Sequence, residues 1–244
     1  MAVKKWKKIL LTILIGVAVV VAGGIAYLQT QTYPPTSDAQ QITKQADDDS
    51  NWLYFPSEDD TKPMLIFYPG ALVDPGSYSS WAQKVAQAGY PVYLLKMPLD
   101  LAVLAPNRGA KVLEEQPDRK YIVGGHSLGG VMASRFAKEH TEKLAGVFFL
   151  ASYPDEKGSL ANIQVPVLSL TGANDQVLNQ EAYQKAKQEL PKNTEYQEIP
   201  GGNHAGFGSY GPQKGDGKAT ISDQNQEVAQ RLIIWLEEHA DQVR

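Results

Sequence analysis

From Ile9 to Leu28 the chain reads ILLTILIGVAVVVAGGIAYL, without a charge and with Thr12 as its one ordinary polar residue. At ~1.5 Å rise per residue such a run spans roughly 30 Å, the thickness of a hydrocarbon core, so the pattern predicts a transmembrane helix. The pattern then inverts. Gln29 to Ser50 is polar, with Pro34-Pro35 and the run Asp47-Asp48-Asp49, and predicts a solvated linker. From Asn51 onward short apolar runs alternate with amphipathic stretches, as expected of an α/β fold whose mostly parallel sheet carries helices on both faces. Strands are expected at Trp52–Phe55, Met64–Tyr68, Val92–Leu95, Tyr121–Gly124, Gly146–Ala151, Val165–Thr171 and Glu195–Ile199. Helices are expected at Ser77–Ala88, Asn107–Gln116, Leu128–His140, Asn179–Leu190 and Ser222–Ala240. The organisation is thus residues 1–28 as basic head and apolar span, 29–50 as linker, and 51–244 as one globular domain.

Charge orients this arrangement. Lys4, Lys5, Lys7 and Lys8 precede the apolar run, and no basic residue follows it before Lys44. The positive-inside tendency then places the N-terminus in the cytoplasm and the globular domain outside, on a single-pass membrane protein. A cleaved signal peptide shares the layout, with a small-x-small step at Gly24-Ile25-Ala26, and would make the domain secreted; the length of the apolar run favours the anchor. The net charge is −4, from 23 basic and 27 acidic residues. Because four of the lysines sit in the N-terminal cluster, the globular part is more acidic than the total suggests, a poor surface for nucleic acid. Cysteine is absent, which excludes a disulfide framework, a thiolate nucleophile and cysteine-ligated metal. No cluster of residues calls for a metal or an organic cofactor, and no obligate protein partner is implied.

Chemistry is expected in the loops at the carboxyl ends of the strands. Gly125-His126-Ser127-Leu128-Gly129 stands between an apolar strand and a helix, the setting in which a G-x-S-x-G match marks a nucleophile elbow. Ser127 would lie on a strained turn at a helix N-terminus, where the dipole favours developing negative charge. A serine hydroxyl needs a base. His126 flanks the serine, while His140 and His239 sit near helix ends. His204 lies in the glycine-rich loop IPGGNHAGFGSYG before the last helix and is the candidate base. The base needs a carboxylate to set its tautomer; Asp175, in TGANDQV at a strand end, is the first choice and Asp155 the second. Two N–H donors should face the oxyanion: that of Leu128, and one from Tyr68-Pro69-Gly70-Ala71-Leu72-Val73, with Ala71 preferred to Leu72. Gly215-Asp216-Gly217-Lys218 lacks the spacing of a phosphate loop and the ligand ladder of a calcium loop, and is expected to be a surface or rim loop.

These residues carry a resemblance. Over roughly Asn51 to Arg244 the chain resembles the α/β-hydrolases, and more narrowly the compact group related to dienelactone hydrolases, through YPGALV, GHSLGG, TGANDQV and GGNHAGFGSYGPQKGDG. The resemblance implies Ser127 as nucleophile, Asp175 as acid and His204 as base. Dienelactone hydrolases proper use a cysteine nucleophile, so with Ser127 and no cysteine that specific activity is not inherited. Only about fourteen residues separate the strands near Ala151 and Val165, too few for the substantial cap that larger members insert there. The expectation is a membrane-anchored, outward-facing serine hydrolase acting on a small-molecule carboxylic ester through an acyl-enzyme. The alternatives are an envelope acyltransferase using the same triad and a non-catalytic binding module on the same scaffold.

Overall fold

The computed structural model describes residues 2–59 and 61–239. The predicted ends of the last helix at Ala240 and of the domain at Arg244 lie outside them. Two units emerge, residues 1–32 and residues 33–244.

The first unit is the helix α1 (Ala2–Thr30). Over Leu10–Thr30 its mean hydropathy is 2.4 and none of it is buried. A helix satisfies its backbone polar groups internally, so one of this length and composition is able to cross a hydrocarbon layer.

The second unit is built on an 8-stranded sheet in the order β1-β2-β4-β3-β5-β6-β7-β8. The strands are β1 (Asp47–Asp48), β2 (Trp52–Phe55), β3 (Met64–Tyr68), β4 (Val92–Leu95), β5 (Tyr121–His126), β6 (Leu144–Leu150), β7 (Val167–Gly172) and β8 (Glu195–Ile199). Strands β1 and β2 are antiparallel to their neighbours and the rest run parallel. Because side chains alternate along a strand, Leu65 and Phe67 of β3 enter one core layer while Met64, Ile66 and Tyr68 enter the other. Helices α3 (Ser79–Gln87) and α7 (Gln224–Glu238) cover the first layer with Trp81, Val85, Leu232 and Trp235. Helices α4 (Ala110–Glu115) and α5 (Leu128–Glu139) cover the second with Val112, Met132 and Phe136. A sixth helix, α6 (Gln180–Ala186), leads towards β8. Burial on both faces explains why the central strands read as unbroken apolar runs.

From Tyr33 onward, the stretch expected to be a solvated linker is folded onto this domain. Tyr33 bridges to Val73 and its N–H donates to Leu72 O at 2.7 Å. Thr36 caps the short helix α2 (Ser37–Thr43) through a bond from the Ala39 N–H. Thr43 Oγ1 lies 3.2 Å from Gly76 O and 2.8 Å from Ser79 Oγ at the start of α3. Asp47 and Asp48 then add an edge strand to β2, with Lys96 paired to Asp48. Polar composition hides this docking because backbone bonds and hydroxyls share it with only a few scattered apolar side chains, the buried Ala39 and the partly buried Tyr33, Ile42 and Ala46.

Candidate functional site

The turn between β5 and α5 holds Ser127 at φ 51° and ψ −126°, a left-handed conformation that costs a non-glycine residue free energy. The neighbours over-determine it. The Ser127 N–H donates to Leu150 O at 3.0 Å, and Ser127 O accepts both the Gly130 N–H at 3.0 Å and Ser152 Oγ at 2.6 Å. The flanking glycines let the turn close: a Cβ on Gly125 would lie 2.5 Å from the Gly129 carbonyl carbon, and one on Gly129 would lie 2.1 Å from Tyr68 O. Although Ser127 occupies the N-cap position of α5, its side chain makes no cap bond. The hydroxyl is therefore not spent on its own helix, as it would be in a purely structural Gly-Ser turn.

Asp175 follows β7 and His204 follows β8, so three strand ends converge. Asp175 Oδ1 accepts the N–H groups of Val177 and Leu178, each at 2.8 Å, which fixes the carboxylate in its own loop. Its Oδ2 lies 2.8 Å from His204 Nδ1. Both side chains are buried. An ionised carboxylate only accepts, so Nδ1 carries the proton and Nε2 presents its lone pair. His204 Nε2 is buried and has no hydrogen-bond partner among the described residues. Ser127 and His204 line a common cleft of ≈ 220 Å³, walled by Val131, Tyr153, Val177 and Leu178. No Lys, Arg, Asp or Glu side chain is among its described lining residues.

Asp155, the second candidate acid, is engaged elsewhere. It pairs with Arg135 and caps the turn Glu156–Gly158 through the Gly158 N–H at 2.9 Å. The Arg135 guanidinium is the main reason its carboxyl is held below the usual carboxylate range. His140 packs against the Phe136 ring, and His239 bonds Trp235 O and Glu195.

The loop after β3 separates the two candidate oxyanion donors. The Gly70 N–H donates to Tyr78 Oη at 3.0 Å, the Leu72 N–H to Asp100 O at 2.8 Å, and the Val73 N–H to Gly70 O at 3.3 Å. Among the described residues, Ala71 alone of these four keeps an N–H without a partner. Leu128 opens α5, where the first N–H groups lack intrahelical acceptors.

His126 and Tyr78 form a support that residue spacing did not reveal. Tyr78 Oη lies 2.9 Å from His126 Nδ1 while accepting the Gly70 N–H. Burial pushes the Tyr78 phenol up, so it stays protonated and shares one proton-mediated bond with the His126 ring. Burial, and then the neighbouring His204, push the His126 imidazole well below its ordinary 6.5. Its ring centroid is 4.6 Å from that of His204, so a neutral ring backs the candidate base.

Comparison with known proteins agrees with this fold. Residues 64–228 match the family model described as the alpha/beta hydrolase family. No curated protein matches the chain in sequence. Among solved structures, a dienelactone hydrolase from Anabaena variabilis is similar at 18% identity and a TM-score of 0.59, over 77% of this chain and 90% of that one. A monoacylglycerol lipase from Paleococcus ferrophilus is similar at 18% identity and TM-score 0.58, over 76% and 97% of the two chains. The esterase domain of a Rhodothermus marinus protein is similar at 14% identity and TM-score 0.59, over 77% and 92%.

Proposed function

Since the chain belongs to the alpha/beta hydrolase family, we propose that it is a serine hydrolase of carboxylic esters, anchored by α1 with its domain facing outward. The observation that carries this reading is the bond from His204 Nδ1 to Asp175, which leaves Nε2 bare in the cleft shared with the uncapped Ser127 hydroxyl. Nε2 takes the Ser127 proton as Oγ attacks the ester carbonyl, and Asp175 stabilises the imidazolium. The N–H groups of Leu128 and Ala71 receive the oxyanion; one such donor is worth about 10²–10³ in rate. The proton on Nε2 then passes to the departing alcohol. Water, deprotonated by the same nitrogen, attacks the acyl-enzyme, which releases the acid and restores Ser127. The uncharged walls and small volume of the cleft favour a short, neutral acyl group.

A fluorophosphonate probe on the full chain in detergent micelles tests this reading. Wild type is expected to be labelled, Ser127→Ala unlabelled, and His204→Ala labelled at least about 10³-fold more slowly. p-Nitrophenyl butyrate should be cleaved faster than the palmitate ester. An unlabelled wild type, or equal labelling of Ser127→Ala, would overturn the assignment.

A further inference from the structure

The segment around Asp216 resembles no phosphate or calcium loop, yet it joins the two loops that hold the candidate acid and base. Asp216 Oδ2 accepts the Ala205 N–H at 2.8 Å. Asp216 Oδ1 accepts the N–H of His204 at 3.3 Å, that of Gln176 at 3.3 Å and that of Gly217 at 2.8 Å. One carboxylate thereby grips the backbone of His204 itself and of the residue that follows Asp175. Its neighbours repeat the connection. Asn203 Nδ2 donates to Gly217 O at 2.8 Å, and Asn174 Nδ2 donates to Lys218 O at 3.0 Å. A Cβ on Gly217 would lie 1.9 Å from Asn174 O, so this strap sits directly on the acid's loop. The strap also borders an open hollow of ≈ 470 Å³. Polar bonds, more than apolar burial, hold it in place.

We propose that Asp216 is a positioning residue for the general base. It receives backbone N–H groups from both loops and so keeps His204 Nδ1 at bonding distance from Asp175 and Nε2 in the cleft with Ser127. The inference rests on the triad assigned above. An ionised carboxylate suits the task because it offers only acceptors to converging N–H donors, and such charge-assisted bonds are stronger than neutral ones. An asparagine of the same shape would turn one donor against an N–H.

The test uses the full chain in detergent micelles, with p-nitrophenyl acetate for kinetics and the far-downfield proton resonance of His204 Nδ1 as a reporter of its bond to Asp175. Asp216→Ala is expected to lower kcat about 10- to 100-fold, the cost of misplacing a reacting group by an ångström or so. KM should stay within about twofold, and the downfield resonance should be lost. Wild-type kcat overturns the proposal, and so does a fall in kcat with the resonance intact. If circular dichroism shows that Asp216→Ala does not fold, Asp216→Asn decides by the same two readings. The resonance needs no turnover. A wild type that shows it but hydrolyses no ester would therefore refute the esterase reading and leave the role of Asp216 to be read from its variants.

Discussion

Two histidine rings with centroids 4.6 Å apart suit opposite duties, and their environments explain why. His204 has a carboxylate on Nδ1 and an open lone pair on Nε2. His126 has a phenol on Nδ1 and is shut in by protein, which keeps it neutral and spares His204 a second positive charge. This arrangement makes stability depend on pH. In the unfolded chain His126 takes up a proton near pH 6.5, whereas in the folded protein it does so only at a much lower pH. The contribution is therefore fully present above pH 6.5. It is lost as pH falls through that value, at up to about 1.4 kcal/mol per pH unit, until the folded-state value is reached. His126→Gln, neutral throughout, should be less stable than wild type at pH 7.5, and the gap should narrow towards pH 5. Urea unfolding midpoints at the two pH values measure this; parallel pH profiles for the two proteins would refute it. The residues proposed to bear the chemistry were legible in the sequence because strand-turn-helix context marks Ser127 and glycine-rich strand ends mark Asp175 and His204. Tyr78 and Asp216 were not, because they act on residues 48 and up to 40 positions away through contacts that no local pattern encodes.

Among the elements, the strands that agree best with the hydrophobic pattern are β2, β3, β4 and β8, whose ends match the expected ones residue for residue. Short apolar or alternating runs and the turn residues beside them are enough to bound such short segments. The same logic fails for β1 and α2, which have almost no apolar side chains to read. They matter all the same, since Tyr33 and Thr36 bond the backbone of Leu72 and Ser209 and Thr43 meets the start of α3. Leu72, at φ 58°, follows the residue proposed as the second oxyanion donor, so the N-terminal strap braces a strained loop of the site. A chain beginning at Tyr33 should keep these contacts, and one beginning at Asn51 should lose them. At about 1 kcal/mol per lost hydrogen bond the loss is a few kcal/mol, which lowers Tm by roughly 5–10 °C in a domain of this size. The shorter chain should also have a lower kcat on p-nitrophenyl acetate. Thermal melts and kinetics of the two proteins decide the matter, and coincident melts would show that residues 33–50 add nothing.

At the scale of the whole molecule, β6 and β7 are joined by a segment whose one helical element is the turn Glu156–Gly158, so among the described residues this connection carries no substantial cap beside the cleft that Ser127 and His204 line. On the reading proposed above, an uncharged cleft beside so short a connection would suit dissolved esters, without the surface-triggered lid movement of an enzyme that works on lipid droplets. Location would then depend on α1. Four lysines before its apolar run, and none close after it, favour a cytoplasmic N-terminus and an outward domain. The absence of cysteine makes this directly testable, since any introduced thiol is the only one in the chain. Glu142→Cys, at an exposed position of the domain, should react with a membrane-impermeant maleimide on intact cells. Ala2→Cys should react only after the membrane is opened. The reverse pattern would refute the outward orientation. Reaction of Glu142→Cys in the medium, on a protein lacking its first residues, would instead identify a cleaved signal peptide and a freely diffusing enzyme.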